Sequence, residues 1–170
     1  MASRHRHVGL ALLLVLVSAH ARAETPASLG PFRALLGDWE AIDDPSGATG
    51  GFNFSPGVQD HVIVRTNYSI SPAGAGKPAS RHDDLMVIYD EAGAARADYF
   101  DNEGHVIRYV AQARAGSLVF VSEIKPSEPR YRLTYDLGAD GMLNGRFEVA
   151  PPGKPDAFSQ YLAWKARKRR

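Results

Sequence analysis

The chain has 170 residues, no cysteine and a formal net charge of +1. That length points to one folded domain. The missing thiols exclude disulfides, thiolate metal sites, cysteine nucleophiles and a cysteine-anchored lipoprotein.

Residues 1–23 read as a secretory signal peptide. Arg4 and Arg6 give the basic start, an apolar run over 8–17 follows, and Ala21-Arg22-Ala23 supplies the small-x-small cleavage pattern. A run this short suits a leader better than a membrane span. Cleavage before Glu24 would remove Arg4, Arg6 and Arg22 and leave the exported chain at −2. Five of the 17 remaining basic residues, Lys165, Arg167, Lys168, Arg169 and Arg170, crowd the last six positions. An acidic body argues against nucleic-acid binding. The basic tail over 166–170 is expected to be solvated, or to touch anionic cell-envelope surfaces.

Residues 24–30 read as a linker, and the domain is expected over 31–165. "SLGPFRALLG", 28–37, reads as about two turns of helix. Ser28 is placed to cap it, Pro31 suits its first turn, and Gly37 suits the stop. Phe32, Leu35 and Leu36 would share its apolar face.

From Trp39 onward the apolar period changes to two. Ten short runs follow, over 39–42, 51–54, 58–71, 84–90, 96–101, 106–113, 117–124, 130–136, 142–149 and 158–165. Glycine- and proline-rich turns separate them. No helix long enough for a parallel crossover lies between them. The fold expected is all-β: an antiparallel up-and-down barrel of about ten strands, closed at one end by the N-terminal helix. Tyr131, Leu133, Tyr135 and Leu137 alternate cleanly onto one face. Val58, Val62, Val64, Tyr68 and Ile70 share a face, with Gln59, His61, Arg65, Asn67 and Ser69 opposite. Leu85, Val87 and Tyr89 point together. Residues 118–121, apolar on both faces, are expected under the helix or at a contact.

Gly37-Asp38-Trp39, behind a short helix and ahead of about ten strands, resembles the opening of the calycin superfamily, which includes the lipocalins. The resemblance implies that Trp39 plugs the closed end and that an arginine near the C-terminus packs on its ring. Arg167 is the candidate. Gly37, Trp39 and Arg167 are therefore read as structural. The pattern resembles small exported lipocalin-like bacterial families without an assigned function more than it does the nitrobindin-like haem barrels. Those carry two further glycines after the tryptophan and a late histidine. Here the glycines are missing and the last histidine is His105, so no cofactor is expected.

His61, His82 and His105 could supply a zinc site only if the fold gathered them; surface histidines are the expectation, and no metal is assigned. Asp43-Asp44 and Asp83-Asp84 cannot work as acid–base pairs alone, because neighbours on a strand point to opposite faces. No catalytic residue is assigned. The function expected is binding of a small apolar or amphipathic molecule in a pocket lined by Phe52, Phe54, Val64, Tyr68, Val87, Tyr89, Tyr109, Tyr135 and Phe147. Its mouth would lie near 43–50 and 72–82, with "NEG" and "RAG" or their neighbours beside it. Two alternatives stand. One is an enzyme on the same barrel, a cyclase, isomerase or hydrolase of a lipid-like compound, needing a group such as His105, Arg108 or Asp98 in the cavity. The other is a packed barrel with no cavity.

Overall fold

A computed structural model describes residues 24–74 and 76–169. The proposed leader over 1–23 lies outside the described residues. The fold is all-β. A 3-10 helix, Ala27–Leu35, precedes β1 (Gly37–Ile42), β2 (Thr49–Gly57), β3 (Val62–Ser71), β4 (Ser80–Glu91), β5 (Ala94–Asp101), β6 (Val106–Arg114), β7 (Ser117–Ser122), β8 (Arg130–Leu137), β9 (Met142–Ala150) and β10 (Ser159–Lys168). Each strand pairs antiparallel with the next, and β10 pairs back onto β1, so the sheet closes on itself. Closure leaves no unpaired sheet edge.

The helix is tighter than the sequence suggests. Leu29, Phe32 and Leu35 are the buried residues. Their spacing of three is the 3-10 period, so Leu29 replaces Leu36 on the buried face. Ser28 does not cap the helix. Its hydroxyl instead donates to the Asp90 carboxylate at the end of β4, holding that carboxyl below its usual range, with the Gly93 N–H as a second donor. Arg33 reaches Asp60 at 3.3 Å, in the connection between β2 and β3. Phe32 packs on Phe120 of β7, their ring centroids 5.5 Å apart, which accounts for the doubly apolar run at 118–121. The helix therefore plugs one end of the barrel.

Gly37 turns the chain from the helix into β1 at φ 119°, in a region that side-chain-bearing residues rarely adopt. Two residues on, the Trp39 ring is buried and its indole N–H donates to the Leu35 carbonyl at 2.7 Å. The expected arginine does not cover that ring. Arg167 alternates outward and meets Glu40 at 3.4 Å, while Lys168 faces inward, its Nζ 5.3 Å from the Trp39 ring centroid. The cation has moved by one residue. Moreover, β10 runs through Lys168, so much of the basic segment is paired strand rather than free tail.

Register decides which side chains enter the barrel. Phe52 and Phe54 of β2 are buried, and they pair with Asn67 and Arg65 of β3. Directly paired residues share a face. The inward residues of β3 are thus Ile63, Arg65, Asn67 and Ser69, which pair in turn with Ile88, Met86, Asp84 and His82 of β4. This reverses the expected faces of both strands. Val64, Tyr68, Val87 and Tyr89 point outward, because a shift of one residue exchanges every side chain between faces. Tyr89 instead contacts Asp98 on the outer wall at 3.5 Å, and Arg81 lies over the Tyr68 ring at 5.1 Å.

The half of the barrel nearest the helix is filled. Phe54, Phe120 and Tyr135 meet edge to face around buried Ile63, Ile88, Ala97 and Leu143. At Gly145 a Cβ would stand 2.1 Å from the Trp164 ring, so the absent side chain is what lets that ring lie against β9. At the other end lie the connections 43–48, 72–79, 102–105, 123–129 and 151–158. "RAG", 114–116, falls at the helix end instead, as the alternation of antiparallel connections requires.

Candidate functional site

The mouth half of the barrel is not filled by side chains. A cavity of about 590 Å³ opens there, bounded at its rim by Asp44, Ser46, Ser71 and Glu103. That size is within the range of small-molecule pockets, about 300–1,000 Å³. Its two sides differ in chemistry. One carries Phe52, Ile107, Leu133, Phe147 and Trp164, and the other Arg65, Asn67, Ser69, His82, Asp84, Tyr99 and Asp101.

The polar wall comes from the inward residues of β3, β4 and β5 where they approach the mouth. The Arg65 guanidinium donates to both the Asp84 carboxylate and the Tyr135 hydroxyl. The side chains of Arg65 and Asp84 are almost fully enclosed, 6% and 4% exposed. Burial opposes the Arg65 charge, but Tyr135 and Asp84 more than compensate and raise its pKa further. Asn67 Nδ2 donates to Asp84 Oδ2 at 2.8 Å, and His82 Nε2 lies 3.5 Å from the same oxygen. A buried ion pair keeps its charges only where the remaining lone pairs and protons find partners. Here they nearly all do.

Asp84 pairs directly with Asp101 across β4 and β5. Asp101 Oδ1 accepts the backbone N–H groups of Glu103 at 3.0 Å and His105 at 2.9 Å, closing the turn between β5 and β6. Its Oδ2 accepts from the Tyr99 hydroxyl at 3.3 Å and lies 2.9 Å from His105 Nδ1. Burial alone would raise this carboxyl, but the His105 and Glu103 contacts outweigh it and hold it below the usual range. His82 Nε2 lies 3.1 Å from the Tyr99 hydroxyl, so Asp84, His82, Tyr99, Asp101 and His105 form one continuous chain of polar contacts. Tyr99 and Tyr109 are both raised well above the ordinary phenol range, chiefly by burial, and stay protonated donors.

Of the residues expected to line a pocket, Phe52, Tyr109 and Phe147 do so. Phe54 and Tyr135 point inward but sit below the cavity, within the aromatic floor. Val64, Val87 and Tyr89 belong to the outer wall. The Tyr68 side chain is outside as well, its hydroxyl 3.4 Å from Arg169 Nη2, although its strand borders the rim. Arg108 and Asp98 pair across the outer wall, off the cavity, whereas His105 is at the mouth. The residues that sequence reading missed are Arg65, Asn67, Ser69, His82, Asp84, Tyr99 and Asp101. One signal for them existed: the polar face of 58–71 is too regular for a strand whose two faces are both solvated.

Among the described residues, no three His, Cys, Asp or Glu side chains are placed to hold a metal ion. His61 lies in the connection between β2 and β3, at the helix end, its Nδ1 3.1 Å from the Gln59 carbonyl. No protein-family model matches the chain, and comparison with curated proteins finds no match.

Proposed function

We propose that the chain is an exported, lipocalin-like binding protein that holds a small amphipathic molecule in the mouth half of its barrel. The observation that carries this is the two-sided cavity. A barrel stabilised only by its core has no reason to bury arginine, aspartate and histidine beside a void, since burying polar groups costs stability unless they are paired. The ligand's apolar part would lie against Phe52, Phe147 and Trp164, and its polar end against the opposite wall. The Gly-x-Trp start and the closed ten-stranded barrel support a place in the calycin superfamily. Residues 1–23 support export, with Glu24 as the mature N-terminus. Arg167 and Arg169, on the outer surface, support weak contact with anionic cell-envelope polymers.

Titration with the neutral dye N-phenyl-1-naphthylamine tests the binding reading. One dye per chain should bind the unaltered protein. Val149→Trp, which fills the cavity near its mouth, should abolish binding while thermal unfolding shows the fold intact. Equal binding by both proteins would place the dye elsewhere and remove the reading.

A second reading rests on His105. Its Nδ1 is oriented by Asp101 at 2.9 Å, and its Nε2 has no hydrogen-bond partner among the described residues. An imidazole so held is suited to general base work on a lipid-like substrate, as in an isomerase, cyclase or hydrolase. Turnover of a bound compound, lost in His105→Gln with affinity retained, would distinguish enzyme from carrier.

A further inference from the structure

Hydrogen-bond accounting within the cavity narrows the chemistry of its occupant. Both oxygens of Asp84 and both of Asp101 are already engaged by protein donors. Among the groups left over, two are donors enclosed in the deep part of the cavity. The Tyr109 residue is 2% exposed and lines the cavity, yet its hydroxyl has no hydrogen-bond partner among the described residues. Arg65 Nε is buried without one either. Guanidinium N–H is a donor only, and a phenol donates readily. What these two donors lack is an acceptor.

Charge then separates the possible acceptors. Among the described residues, Arg65 is the only Lys or Arg on the cavity lining, against Asp44, Asp84, Asp101 and Glu103. A carboxylate or phosphate entering this site would meet a net negative wall. An ammonium would find no free carboxylate oxygen inside and would face the Arg65 charge. An uncharged oxygen avoids both penalties and completes the unmade bonds, and a buried donor left unmatched costs about 1–3 kcal/mol.

We propose that the cavity selects amphiphiles whose polar end is an uncharged carbonyl (a ketone, ester, lactone or amide) held by the Tyr109 hydroxyl. The proposal rests on the binding reading above and specifies its ligand class. Tyr109 is a binding and specificity residue in this scheme. Arg65 Nε, buried in the same wall, is the second unpaired donor.

The test uses the whole protein and 6-propionyl-2-dimethylaminonaphthalene, a dye whose emission moves to longer wavelength when its carbonyl accepts a hydrogen bond. Competition with 2-decanone, decylamine, decanoate and decane reads the head-group preference. The ketone should displace the dye at least tenfold more tightly than the other three. Tyr109→Phe should weaken 2-decanone about tenfold, the worth of one hydrogen bond. It should leave decane unchanged and move the bound dye's emission to shorter wavelength. A second measurement needs no variant: the infrared carbonyl stretch of 2-decanone bound to the unaltered protein should fall below its value in hexane. The proposal is overturned if the amine or the carboxylate binds best, if ketone and alkane bind alike, if folded Tyr109→Phe binds the ketone unchanged, or if the bound stretch equals that in hexane. Dye binding with a flat head-group series removes this proposal alone. If neither the dye nor any competitor binds, the carrier reading falls with it.

Discussion

The two halves of the barrel are made from the same strands and obey the same alternation, yet their interiors are opposites. Toward the helix, the inward residues of β3 and β4 are Ile63, Met86 and Ile88, all buried. Toward the mouth, the same faces of the same strands carry Asn67, Ser69, His82 and Asp84. Neither strand is therefore a uniform apolar stripe. Each divides along its length, with one part filling a core and the other lining a site. The packed half supplies rigidity, and that support lets the polar half line a cavity instead of filling it.

This comparison is broken most severely from the packed side. Phe120 is fully buried and touches the rings of Phe32, Tyr109 and Tyr135. Phe120→Ala should cost about 3–5 kcal/mol in urea unfolding, as for other large core truncations. It should also loosen the helix plug. A loss under about 1 kcal/mol would show that the closed half is not the core described here.

The polar half predicts a different response. Asp84→Ala leaves the Arg65 charge buried without its carboxylate, which should cost about 3–5 kcal/mol. The double variant Arg65→Met with Asp84→Leu should recover most of that loss, because a matched apolar pair can replace a buried ion pair at little cost. It should nonetheless abolish carbonyl-ligand binding. A double variant as unstable as the single one would mean that the pair contributes net stability instead of serving the site.

Asp101 sharpens the same point through pH. Its folded pKa is depressed, by the backbone N–H groups and imidazole of the mouth turn working against its burial. A depressed carboxylate contributes stability that is complete above its unfolded value, about 3.9, and is lost as the pH falls through its lower folded value. Urea midpoints measured against pH should therefore fall more steeply below about pH 4 for the unaltered protein than for Asp101→Asn. Parallel curves would show that this carboxylate is not held by the turn.

The architecture was legible because it depends on local signals. Strand-length runs, glycine turns and the Gly37-Asp38-Trp39 start all act over a few residues, and ten strands without crossover helices leave few closed solutions. The site was only half legible, because register is not local. Val62, Val64, Tyr68 and Ile70 form an apolar face by every sequence criterion, and only their pairing with Phe52 and Phe54 through Asn67 and Arg65 shows that this face lies outside. The inward acids were hidden for the same reason. Asp84 and Asp101 lie 17 positions apart in the chain and become neighbours only through the β4–β5 ladder. The inward placement of Phe52, Tyr109 and Phe147 was legible because their strands have one plainly apolar face.

The smallest expected effect concerns the basic end of β10, where sequence and structure differ by one residue. Lys168 stands over the Trp39 ring, while Arg167 faces outward to Glu40, 61% and 40% exposed respectively. A cation over an indole at an exposed site is worth about 0.5–1 kcal/mol. An exposed ion pair is worth about 0–1 kcal/mol and weakens with salt. Lys168→Met should therefore lower stability by about 0.5 kcal/mol or more, with little dependence on salt. Arg167→Met should cost less, and its cost should vanish in high salt. Paired urea titrations at low and high salt would separate the two. If Arg167→Met were the costlier and its effect survived salt, the arginine would be the residue covering Trp39, and the inward parity assigned to the end of β10 would have to be exchanged.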